Sequence, residues 1–239
     1  MSGKKIALAI CGETFPQVRE SCGDFAEWFS VKLTDSRAEL VVWNAHAREK
    51  PPTTEGLIGC IVSGSPAMVT DRAVWSEELA QWLVQRVHDE MPVLGICYGH
   101  QLLADVLGGQ VDYQPDGREI GSLLIQQTKA AADDALFSQL PDSFYAHLTH
   151  GQSVIELPEQ AVCLASNQRV PIQAFRYGTS CWGVQFHPEF STQIMSMYLD
   201  VYHDQIPAEM RVQLHTHIHQ CHEACSLLEH FAVFCLNKE

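Results

Sequence analysis

The stretch MPVLGICYGHQLLADVLGG (Met91–Gly109) joins an apolar run, a cysteine between two glycines, and an amphipathic run. Pro92–Cys97 is short and apolar, which predicts a buried strand. Gly99–Gly109 spaces its apolar residues as one face of a helix ended by paired glycines. A strand that turns directly into a helix at G-x-Cys-x-G has the pattern of a nucleophile elbow. The bend would hold Cys97 strained and exposed at the carboxyl edge of a sheet, where open parallel sheets bind ligands. There the helix N-terminus favours thiolate over thiol. The backbone N–H of Tyr98 would point at any oxyanion formed on a carbonyl that Cys97 attacks.

Outward from the elbow, short apolar runs alternate with amphipathic ones. Lys5–Cys11, Glu39–Ala45 and Leu57–Pro66 read as strands, and Asp24–Leu33 and Val74–Val87 as helices. Such alternation implies an α/β fold: an open, mostly parallel, doubly wound sheet. From about Val111 to Phe186 short β-like runs between turns predict an antiparallel extension of that sheet. The expected organisation is one domain over residues 1–202 and a C-terminal helical extension over 203–239. In the extension Met210, Leu214, Ile218, Cys221, Cys225, Leu228, Ala232 and Cys235 step by three or four, as in one helix of about eight turns. This stripe would either cover the domain or mediate self-association into a homo-oligomer.

Composition narrows the function classes. Fifteen basic against 29 acidic residues give a net charge of −14 over 239 residues, which argues against a nucleic-acid partner. Nine cysteines at irregular spacing would leave one unpaired in an oxidised framework, so a reducing compartment is expected. No apolar stretch approaches the ~20 residues that span a bilayer. The N-terminal apolar run is only Ile6–Cys11 and lacks a cleavage site. A cytoplasmic location without membrane association is the expectation.

A nucleophile needs a base. GVQFHPEF (Gly183–Phe190) ends a strand-like run with His187, Pro188 and Glu189. In an extended segment residues two apart share a side, so Glu189 can orient His187, and Pro188 stiffens the spacing. Cys97, His187 and Glu189 then form a nucleophile, base and orienter.

With both motifs in view, residues 5–200 resemble the class I (triad) glutamine amidotransferases, most nearly the stand-alone branch similar to the amidotransferase domain of GMP synthase. SGSPAMV (Ser63–Val69) resembles the family's glycine-rich oxyanion strand and GICYGHQ its elbow. GREIG (Gly117–Gly121) and ASNQRVPIQAF (Ala165–Phe175) resemble flanking signatures, and GVQFHPEF the base motif. The resemblance implies a flavodoxin-like sheet and catalytic Cys97, His187 and Glu189, with oxyanion donors at the backbone N–H groups of Gly64 and Tyr98. Ser65, Gln101, Gly151 and Gln152 would contact the substrate. It implies hydrolysis of the glutamine side-chain amide through a γ-glutamyl thioester, releasing ammonia and glutamate without metal or organic cofactor. A γ-glutamyl peptidase or hydrolase is the alternative with the same triad. A non-hydrolytic, chaperone-like relative would lack FHPE and GHQ, which this chain has.

Two segments depart from the family pattern. SHGD reads THGQ (Thr149–Gln152), with Gln152 in place of an acid, and GGP reads SGSP with Gly64 kept. No G-x-x-x-x-G-K loop is present, so either a separate synthetase or acceptor subunit would use the ammonia or the chain would act as a free-standing glutaminase. In the tail, His215, His219 and His222 fall on one face of the expected long helix, a spacing zinc accepts. Cys221 and Cys225 lie on its apolar stripe instead, so a packing helix without metal is the preferred reading.

Overall fold

The computed structural model describes residues 3–34 and 36–238. The first half runs β1 (Lys5–Ala9), α1 (Pro16–Cys22), α2 (Phe25–Lys32), β2 (Glu39–Trp43), β3 (Leu57–Val62), α3 (Val74–His88), β4 (Val93–Ile96) and α4 (Tyr98–Val106). Then follow β5 (Gln110–Tyr113), β6 (Glu119–Gln127), β7 (Ser143–His150), β8 (Gln152–Glu156), β9 (Ala161–Ser166), β10 (Ala174–Tyr177) and β11 (Cys181–Val184). Three helices close the chain: α5 (Thr192–Val201), α6 (Ala208–Thr216) and α7 (His222–Asn237).

Nine strands form one sheet in the order β2-β1-β3-β4-β11-β10-β9-β6-β7, and β5 and β8 pair as a separate antiparallel ribbon. β2, β1, β3, β4 and β11 run parallel, while the rest of the large sheet is antiparallel. The expected parallel sheet with an antiparallel extension is therefore present. The sequence pattern did not distinguish the small ribbon from the main sheet.

Side chains of β1 alternate between two cores, as a strand covered on both faces requires. Ile6 and Leu8 join α2, α5 and α7 on one side. Ala7 and Ala9 join α3 and α4 on the other. α2 begins with a full capping box between Asp24 and Glu27, which satisfies orphan N–H groups at both positions. Two helices escaped the reading of the sequence although each carries a start signal. α1 opens with Pro16 in its first turn, and Ser191 caps α5 by accepting from the Ile194 N–H at 3.2 Å.

The single eight-turn helix expected at the C-terminus is instead two. α6 ends at Thr216, and Cys221 sits in the left-handed region with φ 49° before α7 starts. The chain leaves the helix between His217 and Cys221, and tertiary contacts hold the break. His219 stacks on Tyr145 with ring centroids 3.7 Å apart, and its N–H donates to Ser122 Oγ at 3.1 Å. Within α7 the expected stripe residues Leu228, Ala232 and Cys235 do bury against the chain's own sheet, joined by Leu227 and Phe231. Met210, an expected stripe residue, is exposed. His215, His219 and His222 thus lie in α6, the break and α7 rather than on one helical face. Among the described residues no three His, Cys, Asp or Glu side chains are grouped to hold a metal. No described helix is long and apolar enough to cross a membrane.

Two buried histidines set an acid limit on this fold. Burial pushes His100 down to about 3 and His147 down to about 4, the latter with help from the charge of His187. A base whose folded pKa is depressed supports the fold above its unfolded value near 6.5, and that support is lost as pH falls toward the folded value. Denaturant unfolding is expected to lose stability between pH 6.5 and 4. The His147 share is roughly 3 kcal/mol, and His147→Gln should flatten that part of the curve.

Candidate active site

Three adjacent parallel strands bring the elbow, the imidazole and Gly64 together. β3, β4 and β11 are neighbours, about 4.8 Å apart. Gly64 follows β3, Cys97 follows β4, and His187 follows β11.

Cys97 holds φ 50° and ψ −96°, a conformation costly for any residue with a Cβ. The flanking glycines make the bend fit. A Cβ on Gly95 would overlap the Gly99 carbonyl, and one on Gly99 would come within 2.6 Å of the Val62 carbonyl on β3. Neither neighbour is a flexible side-chain end, so relief requires backbone movement. Gly99→Ala is expected to cost about 3 kcal/mol and lower the melting temperature by roughly 6–12 °C, measurable by calorimetry.

The His187 ring is fixed on several sides. Nδ1 lies 2.7 Å from Glu189 Oε1, and both side chains are almost wholly buried. The backbone N–H of His187 donates to the His147 carbonyl at 2.8 Å. Phe190 stacks on the ring at 4.1 Å, and a Cβ on Gly64 would meet its Cε1 at 2.8 Å. The sequence reading placed His187 and Glu189 on one side of an extended strand. β11 in fact ends at Val184, and a turn at Pro188–Glu189, closed by Phe190 N–H to the His187 carbonyl at 3.3 Å, brings the pair together. Nε2 is buried and makes no hydrogen bond of standard geometry. Cys97 nevertheless lies close enough to bias the ring's protonation. Burial opposes the imidazolium, but Glu189 and Cys97 outweigh it and raise the His187 pKa well above its ordinary value. The pair is thus built to hold a proton on the imidazole beside the sulfur.

Gly64 and Tyr98 meet the first requirement of oxyanion donors. The Gly64 carbonyl is held by the Ser63 hydroxyl at 2.9 Å, and Ser63 Oγ in turn accepts from the Cys11 N–H. Neither the Gly64 nor the Tyr98 N–H donates to another described residue. The Tyr98 side chain is engaged elsewhere, because its hydroxyl donates to Ser76 at 2.6 Å.

The remaining expected contacts line the same cleft, on whose walls Cys97 and His187 are almost wholly buried, where the bend was expected to leave the sulfur exposed. Gln101 Nε2 donates to the Gln152 carbonyl at 2.7 Å and to Gln185 Oε1 at 3.0 Å, so that side chain braces the cleft floor. Ser65 Oγ accepts from the Ala67 N–H at 3.1 Å. Gly151 lies beside Arg118 and Met68. Gln152 donates to Thr70 Oγ1 at 2.6 Å and leaves its own Oε1 buried without a partner.

Several cleft residues were missed in the sequence: Phe15, Arg118, Thr149, Tyr198 and Tyr202. Thr149 places its carbonyl 3.9 Å from the Cys97 sulfur. Tyr198 and Tyr202 come from α5 and its C-terminal end, the helix that went unread. Behind the cleft, Glu119 Oε2 accepts from His150 at 2.9 Å and Gln173 at 2.8 Å, and Oε1 from Asn167 at 3.0 Å. Burial opposes ionisation of Glu119, but these bonds prevail and hold its carboxyl below the ordinary range. Glu119, Asn167 and Gln173 belong to the GREIG and ASNQRVPIQAF segments, so the two flanking signatures meet in one buried network.

Comparisons with known proteins show the family and the fold. The model of the family "Glutamine amidotransferase class-I" matches residues 22–200. The chain is 36% identical over 157 residues to a GMP synthase [glutamine-hydrolyzing] of Porphyromonas gingivalis, covering 63% of this chain and 29% of that one. It is 34% identical over 145 residues to gamma-glutamyl peptidase 5 of Arabidopsis thaliana, covering 59% of this chain and 57% of that one. A GMP synthase (glutamine-hydrolyzing) of Methanopyrus kandleri, named as one subunit of that enzyme, is 35% identical over 132 residues, covering 55% of this chain and 66% of that one. The crystal structure of a glutamine amidotransferase from Thermotoga maritima superposes with a TM-score of 0.77 at 21% identity, over 98% of this chain and 99% of that one, and so shares the fold. The chain spans less than a third of the length of the Porphyromonas enzyme. Three-quarters of the chain falls under the family model, and the elbow and the imidazole meet in one cleft at the sheet edge with the carboxylate buried behind the imidazole; the chain belongs to the class I glutamine amidotransferases.

Proposed function

We propose that the chain hydrolyses the side-chain amide of L-glutamine with Cys97 as nucleophile, His187 as general acid and base, and Glu189 as its orienter. The observation that carries this is the 2.7 Å His187–Glu189 contact beside a cysteine held at φ 50° in the same cleft. The thiolate attacks the amide carbon, and the oxyanion is met by the N–H groups of Gly64 and Tyr98, each worth about 10²–10³ in rate. The His187 imidazolium then gives its proton to the departing nitrogen, and ammonia leaves a γ-glutamyl thioester. Water attacks the thioester carbonyl as His187 takes its proton. The C–S bond breaks, and glutamate leaves with the thiolate restored. Gln101, Ser65, Gly151 and Gln152 shape the amino-acid end of the cleft. The ammonia is proposed to serve a separate acceptor enzyme, a reading supported by the likeness to the Methanopyrus protein, which is itself named as one part of a larger synthase.

Turnover of the isolated chain, followed as glutamate and ammonia from glutamine and beside it as release of the amine from a γ-glutamyl dipeptide, tests this. Glutamine is expected to be the better substrate. Preference for the dipeptide would transfer the mechanism to γ-glutamyl peptides, and inertness toward both would defeat the proposal.

A further inference from the structure

The cleft beside Cys97 contains one Lys or Arg side chain, Arg118. In a chain of net charge −14 most arginines have a carboxylate: Arg19, Arg48, Arg72, Arg86 and Arg176 are all ion-paired. Arg118 has none within ion-pair distance among the described residues, yet it is half-buried and held in place. Its guanidinium lies 4.0 Å over the Tyr202 ring, and Nε donates to Gln205 Oε1 at 3.3 Å. Neither terminal nitrogen donates to a described residue, so the fork that suits a carboxylate is free.

The backbone that carries Arg118 is fixed from both sides. Arg169 donates to the carbonyls of Gly117 and Arg118, and the next residue is Glu119 in its buried network. A terminal nitrogen of Arg118 would lie 3.5 Å from a Cβ on Gly151. The residue after Gly151 is Gln152, whose Oε1 is a buried acceptor without a partner. Burial raises the Tyr202 phenol, Arg118 opposes that shift, and Cys97 adds to it. Guanidinium and sulfur are therefore within electrostatic reach of one hydroxyl.

A free cationic fork and an orphan acceptor at one end of a cleft, with a thiol at the other, match a molecule with a carboxylate and an ammonium on one carbon and an amide farther along. We infer that Arg118 anchors the substrate's α-carboxylate, so that the site selects substrates bearing a free α-carboxylate on the γ-glutamyl carbon skeleton. This inference rests on the glutamine-hydrolase reading above and adds a specificity-determining residue to it.

The test uses the full chain carrying Cys97→Ala, so that ligands bind without reacting, and titration calorimetry with three probes: L-glutamine, 5-amino-5-oxopentanoate (no α-amino group) and 4-aminobutanamide (no α-carboxylate). With Arg118 present, 4-aminobutanamide should bind at least tenfold more weakly than glutamine. Arg118→Met should weaken glutamine and 5-amino-5-oxopentanoate tenfold or more and bring glutamine within threefold of 4-aminobutanamide. Arg118→Lys should recover part of the loss, which a damaged fold would not. With Cys97 intact, Arg118→Met should raise KM for glutamine and change kcat less than threefold. Unchanged glutamine affinity in Arg118→Met, or discrimination that survives it, overturns the inference and leaves the hydrolase reading standing. If glutamine neither binds the Cys97→Ala protein nor is turned over by the unsubstituted chain, the hydrolase reading fails, and this inference with it.

Discussion

Cys97→Ala lowers kcat for glutamine hydrolysis by roughly 10⁴-fold or more, because without the sulfur no thioester can form and only positioning and oxyanion contacts persist. The same position should show that function is held there against stability. At φ 50° and ψ −96° a side chain costs about 1–3 kcal/mol, which glycine avoids. Cys97→Gly is therefore expected to be as inactive as Cys97→Ala yet at least as stable as the unsubstituted chain, with Cys97→Ala the less stable variant of the two. Parallel denaturant titrations of the three proteins measure this. A Cys97→Gly protein less stable than Cys97→Ala would mean that the bend is not strained.

Glu189→Gln should produce the second large change, chiefly in the pH profile. Burial drives the His187 imidazole toward neutrality, while Glu189 and Cys97 hold its proton and raise its pKa to about 10. The proton is needed when ammonia leaves, so activity should fall as pH rises through that value. In Glu189→Gln the carboxylate's contribution is gone, and burial claims a larger share. The alkaline limb should move down by more than one pH unit, with kcat at neutral pH reduced about 10²–10⁴-fold. The associated stability follows the same sign. A raised folded pKa supports the fold fully below the unfolded value near 6.5, and the support disappears as pH rises through the folded value. An alkaline limb unmoved by Glu189→Gln would assign that titration to another group.

Much of this site can be read in the sequence because local patterns encode it. Gly95 and Gly99 around Cys97 announce a strand-to-helix bend, and their glycine identity is required by the contacts a Cβ would make. The alternation of β1 side chains between two cores and the 3.6-residue spacing of α3 follow from how each element meets the core. What stayed unread depends on contacts distant in sequence. Arg118 is an ordinary surface-type residue until Tyr202, some eighty positions later, lies beneath it. The break between α6 and α7 needs Ser122 and Tyr145 as partners, so a continuous helical stripe was the natural local reading. The His187–Glu189 pairing was foreseen through strand alternation but is achieved by a turn.

The central claim is that one thiol among nine is the nucleophile for a glutamine amide. All nine cysteines are free. In the other eight burial pushes the thiol pKa up, to about 12 in Cys11, Cys181, Cys221 and Cys235. Those groups should be slow to alkylate at neutral pH. Treatment with a diazoketone analogue of glutamine, followed by peptide mass spectrometry, tests the claim most directly. The expected result is a single adduct on Cys97, suppressed by excess glutamine and absent in Cys97→Ala. Labelling of another cysteine with Cys97 untouched, or labelling of Cys97 that glutamine does not slow, would contradict it.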